Sequence, residues 1–295
     1  MIEFEILARG LYQPDQLLIS YDPSLRMPNL GAQFIVPESR TRNADVDDTT
    51  GAMNCTPTFA IQAWMDTLWQ QKLATARENG IPLFDAPLFR LVSAKSQPDG
   101  TLHLVLGDTS YKEYVTTRVP EFAHGRTREE LGNALSVCSV VETSDGYILL
   151  DKRQGVDVYV GRYHVIGGFF ERNLDTTTRP DPFRAICREI REETGIQSND
   201  IQEQYCLGVV YDLTTPHGEI CFLTRLKITL AEVYRRTPEE NEIKQLQSLY
   251  VTQESLKDFL LANHSNISAT GEPNLLMYGG WKFGEGWLEE VMEQW

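Results

Sequence analysis

The chain has 295 residues, enough for roughly two domains at the usual ~100–200 residues each. Hydrophobic residues at 41% and charged residues at 23% exclude a disordered or collagen-like polypeptide. The 27 Lys and Arg against 42 Asp and Glu give a net charge of −15, which excludes the broad basic face that non-specific nucleic-acid binding needs. Nucleic acid is therefore a disfavoured partner, and a phosphate ligand has to be met through a divalent metal or a small cationic pocket. The five cysteines, Cys55, Cys138, Cys187, Cys206 and Cys221, are odd in number and contain no C-x-x-C pair, which speaks against a disulfide framework and a zinc knuckle. Glu3 and Glu5 stand where a signal peptide wants basic residues, and no apolar window reaches the ~18–20 residues of a membrane span. The expectation is a cytoplasmic protein with no membrane partner.

In chain order, the runs Glu3–Ala8 and Gln16–Ser20 read as strands around a Gln13-Pro14-Asp15 turn. Residues Glu38–Cys55 are polar and aperiodic, and read as a long loop. Thr56-Pro57 then makes an N-cap and first-turn pair for a helix striped by Ile61, Trp64, Met65, Leu68, Trp69 and Leu73 and closed by Gly80. After the Phe84-Asp85-Ala86-Pro87 turn, Leu88–Lys95 and Thr101–Gly107 flank Pro98-Asp99-Gly100 as a hairpin. Residues 1–132 are thus read as a smaller amino-terminal α+β domain and 133–295 as a second domain. In the second, Leu135–Glu142 and Tyr147–Asp151 surround Ser144-Asp145-Gly146, and His164–Glu171, Tyr205–Asp212 and Glu219–Leu230 read as further strands. Helices are expected over Phe183–Thr194, after Thr252 and after Glu285.

The segment Phe183–Ile196 carries chemistry. Asp181-Pro182 supplies an N-cap and a first-turn proline, and Gly195 suits the left-handed position after the last turn. Between these ends Glu189, Glu192 and Glu193 stand at i, i+3 and i+4, so three carboxylates share one side while Ile186 and Ile190 supply an apolar one. Hard oxygen donors on one rigid face suit Mg²⁺ or Mn²⁺. Alone, such a cluster with Arg188 and Arg191 beside it would be a solvated acidic face.

The run Arg188-Glu189-Ile190-Arg191-Glu192-Glu193-Thr194-Gly195-Ile196 resembles, position by position, the R-E-U-x-E-E-x-G-U half of the Nudix box, and Gly167-Gly168-Phe169-Phe170-Glu171 is similar to its opening. Twenty positions separate Gly168 from Arg188, six more than the family pattern, and the mid-box glutamate position is Pro180. Asp175 and Glu171 are the acids in the enlarged loop that could replace that glutamate. Leu83-Phe84-Asp85-Ala86-Pro87-Leu88-Phe89-Arg90-Leu91 and Leu106-Gly107-Asp108-Thr109-Ser110-Tyr111-Lys112-Glu113-Tyr114 further resemble the amino-terminal domain of the UDP-glucose/UDP-galactose diphosphatase branch.

That resemblance implies a mixed sheet between helices in the second domain, an αβα sandwich. It also implies Mg²⁺-dependent, or Mn²⁺-dependent, hydrolysis of a nucleotide sugar to UMP and sugar 1-phosphate. The implied metal ligands are Gly168, through its carbonyl, and Glu189, Glu192 and Glu193; Glu192 and Glu193 carry catalysis, and Arg188 orients them. Glu219, Glu240 and Glu242 are candidate general bases, with Glu219 taken forward. Arg153, Tyr111 and Lys112 are candidate substrate contacts. His164 and His217 read as structural. ADP-ribose hydrolysis, a non-catalytic Nudix-fold binding module and, less favoured by the charge, RNA decapping stay open, as does a homodimer.

Overall fold

Strand Leu135–Glu142 is buried at every position, as a central strand covered on both faces must be. The structure is a computed structural model and describes residues 2–27, 57–154, 158–239 and 245–295. The elements are β1 (Phe4–Tyr12), β2 (Leu17–Tyr21), α1 (Pro57–Glu78), β3 (Pro87–Ser96), β4 (Leu102–Ser110), α2 (Tyr111–Thr117), α3 (Pro120–Ala123), β5 (Leu135–Glu142), β6 (Tyr147–Lys152), β7 (Tyr163–His164) and β8 (Ile166–Phe169). They continue as α4 (Pro182–Thr194), β9 (Ile201–Asp212), β10 (His217–Leu226), α5 (Leu230–Val233), β11 (Leu246–Tyr250), α6 (Gln253–Asn263), α7 (Gly271–Phe283) and α8 (Glu285–Met292). The loop Glu38–Cys55, with Thr56, and the candidate bases Glu240 and Glu242 lie outside the described residues.

Eight strands form one mixed sheet in the order β1-β9-β10-β5-β6-β11, with β8 on β5 and β7 on β6. Only β10 and β5 run parallel along that path, in a register that places Glu219 beside Ser136 and Cys221 beside Cys138. Side-chain alternation divides the core. Val137, Ile220 and Phe222 point to one face, where Ala185, Ile186 and Ile190 of α4 cover them together with Leu91, Leu104 and Leu106 of a three-stranded sheet, β2-β4-β3. Cys138, Cys221 and Leu223 point to the other, under Leu256 and Leu260 of α6, Leu275 and Tyr278 of α7 and Trp287 of α8. The result is the helix-sheet-helix sandwich that the resemblance implied, with an added α+β layer from the amino-terminal part.

The structure adds to the sequence reading and changes it in places. β1 and β2 are not neighbours: β1 crosses residue 132 to pair antiparallel with β9, from Phe4 opposite Asp212 to Tyr12 opposite Cys206, while β2 joins β4 in parallel. β5 and β6 keep only the Glu142–Ile148 pair after their turn, because β8 and β10 take the sides of β5. The strand read over Glu219–Leu230 ends at Leu226, since Thr229 caps α5 by donating its N–H and Oγ1 to Glu232 Oε2, each at 2.8 Å. Helix α7 escaped the sequence reading, because its first ten residues, Gly271–Gly280, are buried all round and show no polar face.

Candidate active site

Helix α4 starts and stops where its sequence says. Asp181 accepts from Arg184 N at 3.1 Å, Pro182 occupies the first turn, and Gly195, at φ 76° and ψ 2°, closes the helix through its N–H to Arg191 O at 2.8 Å. The apolar side of the helix is fully buried at Ile186 and Ile190, which fixes the opposite side over the end of β8. There Glu189 lies against Gly168 so closely that a Cβ on that glycine would sit 2.5 Å from the carboxylate, and Glu193 Oε2 accepts from Gly167 N at 3.1 Å. Gly168 is thus kept small by the Glu189 carboxylate, and Gly167 by the β5 backbone, where a Cβ would sit 2.3 Å from Val137 O. Glu189 and Glu193 are buried, and Glu192 is the part-exposed member of the three.

Arg188 organises this group. Its Nη1 donates to Glu189 Oε1 at 2.8 Å and to Glu192 Oε2 at 2.9 Å, and its Nη2 to Phe169 O at 3.0 Å. The same guanidinium meets Asp175 in a fork, Nε to Oδ1 at 2.9 Å and Nη2 to Oδ2 at 2.8 Å. Asp175 has no exposed surface and also accepts from Glu171 N at 2.9 Å, so the enlarged loop is wound around this aspartate. Burial by itself would lower the Arg188 pKa, but Asp175, Glu189 and Glu192 hold it above the ordinary arginine value. Of the two acids the sequence offered for the missing mid-box glutamate, Asp175 makes the bond to Arg188.

In this arrangement the carboxylates face Arg188 and Gly167. Among the described residues no group of three or more His, Cys, Asp and Glu side chains is gathered for a metal ion. The donor chemistry still suits a hard divalent cation: three carboxylates within two turns of one helix, two of them laid on the Gly167–Gly168 backbone where a Cβ would not fit.

The structure places Glu219 elsewhere. It alternates with Cys221 and Leu223 on the sheet face opposite α4, is 2% exposed, and has His164 Nε2 at 3.7 Å and His217 Nε2 at 3.9 Å from its two oxygens. His164 Nδ1 is in turn 2.6 Å from Ser268 Oγ. Burial would raise the Glu219 pKa, but the polar neighbours His164, His217 and Thr270 hold it at about 2. So low a value makes a poor proton acceptor at neutral pH, and the opposite face keeps Glu219 from the α4 carboxylates; both count against its role as general base. His164 and His217, read as structural, are here the polar partners of that carboxylate.

Tyr111 packs edge-on against Phe169, centroid to centroid 5.5 Å, beside the glycine pair. Lys112 ion-pairs with Asp66, its N–H donates to Asp85 Oδ1 at 2.8 Å, and it lines a cavity of about 250 Å³ shared with Arg26, Thr109, Ser110 and Arg172. Arg172, from the enlarged loop, and Arg26 both donate to Asp108 Oδ2 at 2.9 Å. Neither arginine was singled out by the sequence, because what unites them is a buried aspartate on β4 far from both along the chain. Arg153 donates its Nε to Val158 O at 3.3 Å in the loop before β7, so its guanidinium is engaged locally. No helix among the described residues is long and apolar enough to cross a membrane.

No protein-family model and no curated protein matches the chain. Solved structures do. A bifunctional NMN adenylyltransferase/ADP ribose pyrophosphatase from Francisella tularensis, complexed with AMP and Mn ion, is 18% identical with a TM-score of 0.35; the match covers 54% of this chain and 42% of that one, so the chain spans less than half its length. The NUDIX domain of Shewanella oneidensis NrtR, complexed with ADP ribose, is 14% identical with a TM-score of 0.38 over 53% of this chain and 92% of that one. A NUDIX hydrolase from Nitrosomonas europaea is 15% identical with a TM-score of 0.38 over 51% and 90%. Likenesses of this degree assign no activity to this chain.

Proposed function

We propose that the chain is a divalent-metal-dependent Nudix diphosphatase that cleaves a nucleoside diphosphate sugar, UDP-glucose or UDP-galactose, to UMP and sugar 1-phosphate. The observation that carries this reading is the packing of Glu189 and Glu193 onto Gly168 and Gly167 with Arg188 locked by the buried Asp175. Such rigidity is what a charged reacting centre needs from its ligands. Glu189, Glu192, Glu193 and the Gly168 carbonyl would hold Mg²⁺ or Mn²⁺. The ion, when bound, neutralises the diphosphate and lowers the pKa of a water.

The chain's own residues divide the rest. Arg188, anchored by Asp175, sets the rotamers of Glu189 and Glu192. Glu192, the part-exposed glutamate, stays with the ligand set; the attacking water gives its proton to solvent as its oxygen bonds to phosphorus, and the broken P–O bond leaves a second phosphate monoester. Residues 1–132 act in recognition, with the Tyr111 ring on Phe169 and Lys112 in the adjoining cavity as substrate contacts, and Arg153 a further phosphate contact once released from Val158. ADP-ribose is the competing substrate under the same chemistry, the ligand of the Shewanella NrtR domain. A non-catalytic nucleotide-binding module is the second reading, favoured by the six added residues between Gly168 and Arg188 and by Pro180 at the mid-box glutamate position.

The test is release of nucleoside monophosphate from UDP-glucose, UDP-galactose, ADP-ribose and a capped RNA with Mg²⁺ or Mn²⁺, beside a Glu192→Gln, Glu193→Gln control. UMP from the UDP sugars, lost in the control, is expected. Cleavage of ADP-ribose alone would replace the substrate, and cleavage of nothing in the panel would leave the binding module.

A further inference from the structure

A second cavity, of about 430 Å³, opens where α3 and the segment after it meet the loop between β9 and β10. Its charge runs against the composition. In a chain with 42 Asp and Glu against 27 Lys and Arg, the lining holds Arg118, His124, Arg126 and Arg128 and no carboxylate. None of the lining residues belongs to α4 or to the Gly167–Gly168 strand.

The three guanidiniums are held by aromatic faces. Arg118 stands 4.5 Å from the Tyr114 ring centroid, Arg126 4.4 Å from that of Phe122, and Arg128 3.7 Å from that of Tyr211. A guanidinium stacked on a ring has its orientation restricted by that packing before a ligand arrives. Glu5 pairs with Arg128 and Glu130 with Arg126 at 3.6 Å, both from outside the cavity lining. Three arginines facing one space answer a dianion with forked acceptors better than a single carboxylate. The volume is that of a small organic ligand, well beyond inorganic phosphate, and Leu131, Leu213 and Tyr211 give it an apolar wall.

We propose that this cavity binds an organic phosphate monoester, the phosphate on the arginines and the nucleoside or sugar on the apolar wall, independently of the α4 carboxylates. The site stands whether or not the diphosphatase reading holds, although both products of that reaction belong to this ligand class.

The experiment is calorimetric titration of the full chain in EDTA with UMP, glucose 1-phosphate and inorganic phosphate, with uridine and glucose as uncharged controls. Saturable 1:1 binding of UMP or glucose 1-phosphate is expected, weakened roughly tenfold or more by Arg126→Gln and by raised salt and unchanged by Glu192→Gln. The two esters distinguish a nucleoside from a sugar pocket. Leu213→Glu, which places a carboxylate on the wall at a residue 50% exposed, removes no bond and gives the same loss if Arg126→Gln fails to fold. The proposal is overturned if neither ester binds, if uridine or glucose binds as well as its phosphate, or if binding is lost with Glu192→Gln and kept with Leu213→Glu.

Discussion

Two buried carboxylate groups on opposite faces of the same sheet are neutralised in different ways. On the α4 face, Glu189, Glu192 and Asp175 share Arg188, whose charge is permanent. On the other face, Glu219 sits between His164 and His217, whose charges depend on protonation. A permanent cation fixes geometry at every working pH, which suits ligands that must be in place before the chemistry. Glu219 has no arginine or lysine among these partners and lies away from α4, which suits a support of the fold more than a base in the reaction.

The strongest way to break this contrast is to neutralise one carboxylate on each face. Glu193→Gln is expected to reduce UMP release by roughly 10²–10⁴-fold with little change in Tm, whereas Glu219→Gln should cost less than about tenfold in rate. An equal kinetic loss in both would return Glu219 to the reacting centre. Next, Asp175→Ala removes the fork on Arg188, leaving it Glu189, Glu192 and the Phe169 carbonyl, and should destabilise by about 1–3 kcal/mol in urea unfolding. An unchanged midpoint would show that Arg188 is held by the glutamates alone.

The pH dependence of stability sharpens the same contrast. Glu219 is held at about 2 against an ordinary 4.5, so its contribution is full above pH 4.5 and is lost as pH falls towards 2. It amounts to about 3 kcal/mol, and Glu219→Gln should flatten acid unfolding in that window. A slope of the opposite sign is expected at Glu272, raised to about 8 first by burial and then by Glu3, and 2.9 Å from His264 Nδ1. Burial also lowers the His264 pKa. The folded chain then keeps a proton the unfolded chain releases, and stability from this group falls as pH rises from 4.5 towards 8. Glu272→Gln should remove that slope, raising Tm more at pH 8 than at pH 5.

What could be read beforehand was what is local. Both ends of α4 are written in Asp181, Pro182 and Gly195, and its two faces in the spacing of Ile186, Ile190 and the glutamates. The alternation of β5 and the caps of α6 at Thr252 are equally local. Contacts between distant segments were not legible. Nothing in the Arg172 or Arg26 neighbourhoods announces Asp108, and nothing near Glu219 announces Ser268 behind His164. The arginine-lined cavity was hidden for the same reason, since Arg118 and Arg128 are brought to Thr214 only by the fold. Helix α7 was lost to composition: glycines and a proline in a uniformly buried stretch erase the periodicity that marks a helix.

The pairing of β1 with β9 has a consequence in time. Phe4 finds its partner at Asp212, so the strand waits about two hundred residues for the edge it completes, a highly non-local contact of the kind that slows folding. At ribosomal rates of about 5–20 residues per second, that interval is about 10–40 s. Through it Phe4, which packs on one face of the sheet, and Ala8 and Tyr12, which pack on the other, have no sheet to rest on, and after it the same strand covers the open hydrogen-bonding edge of β9. A fragment cut at residue 133 would keep every glutamate of α4 and expose that edge, becoming prone to pair with copies of itself.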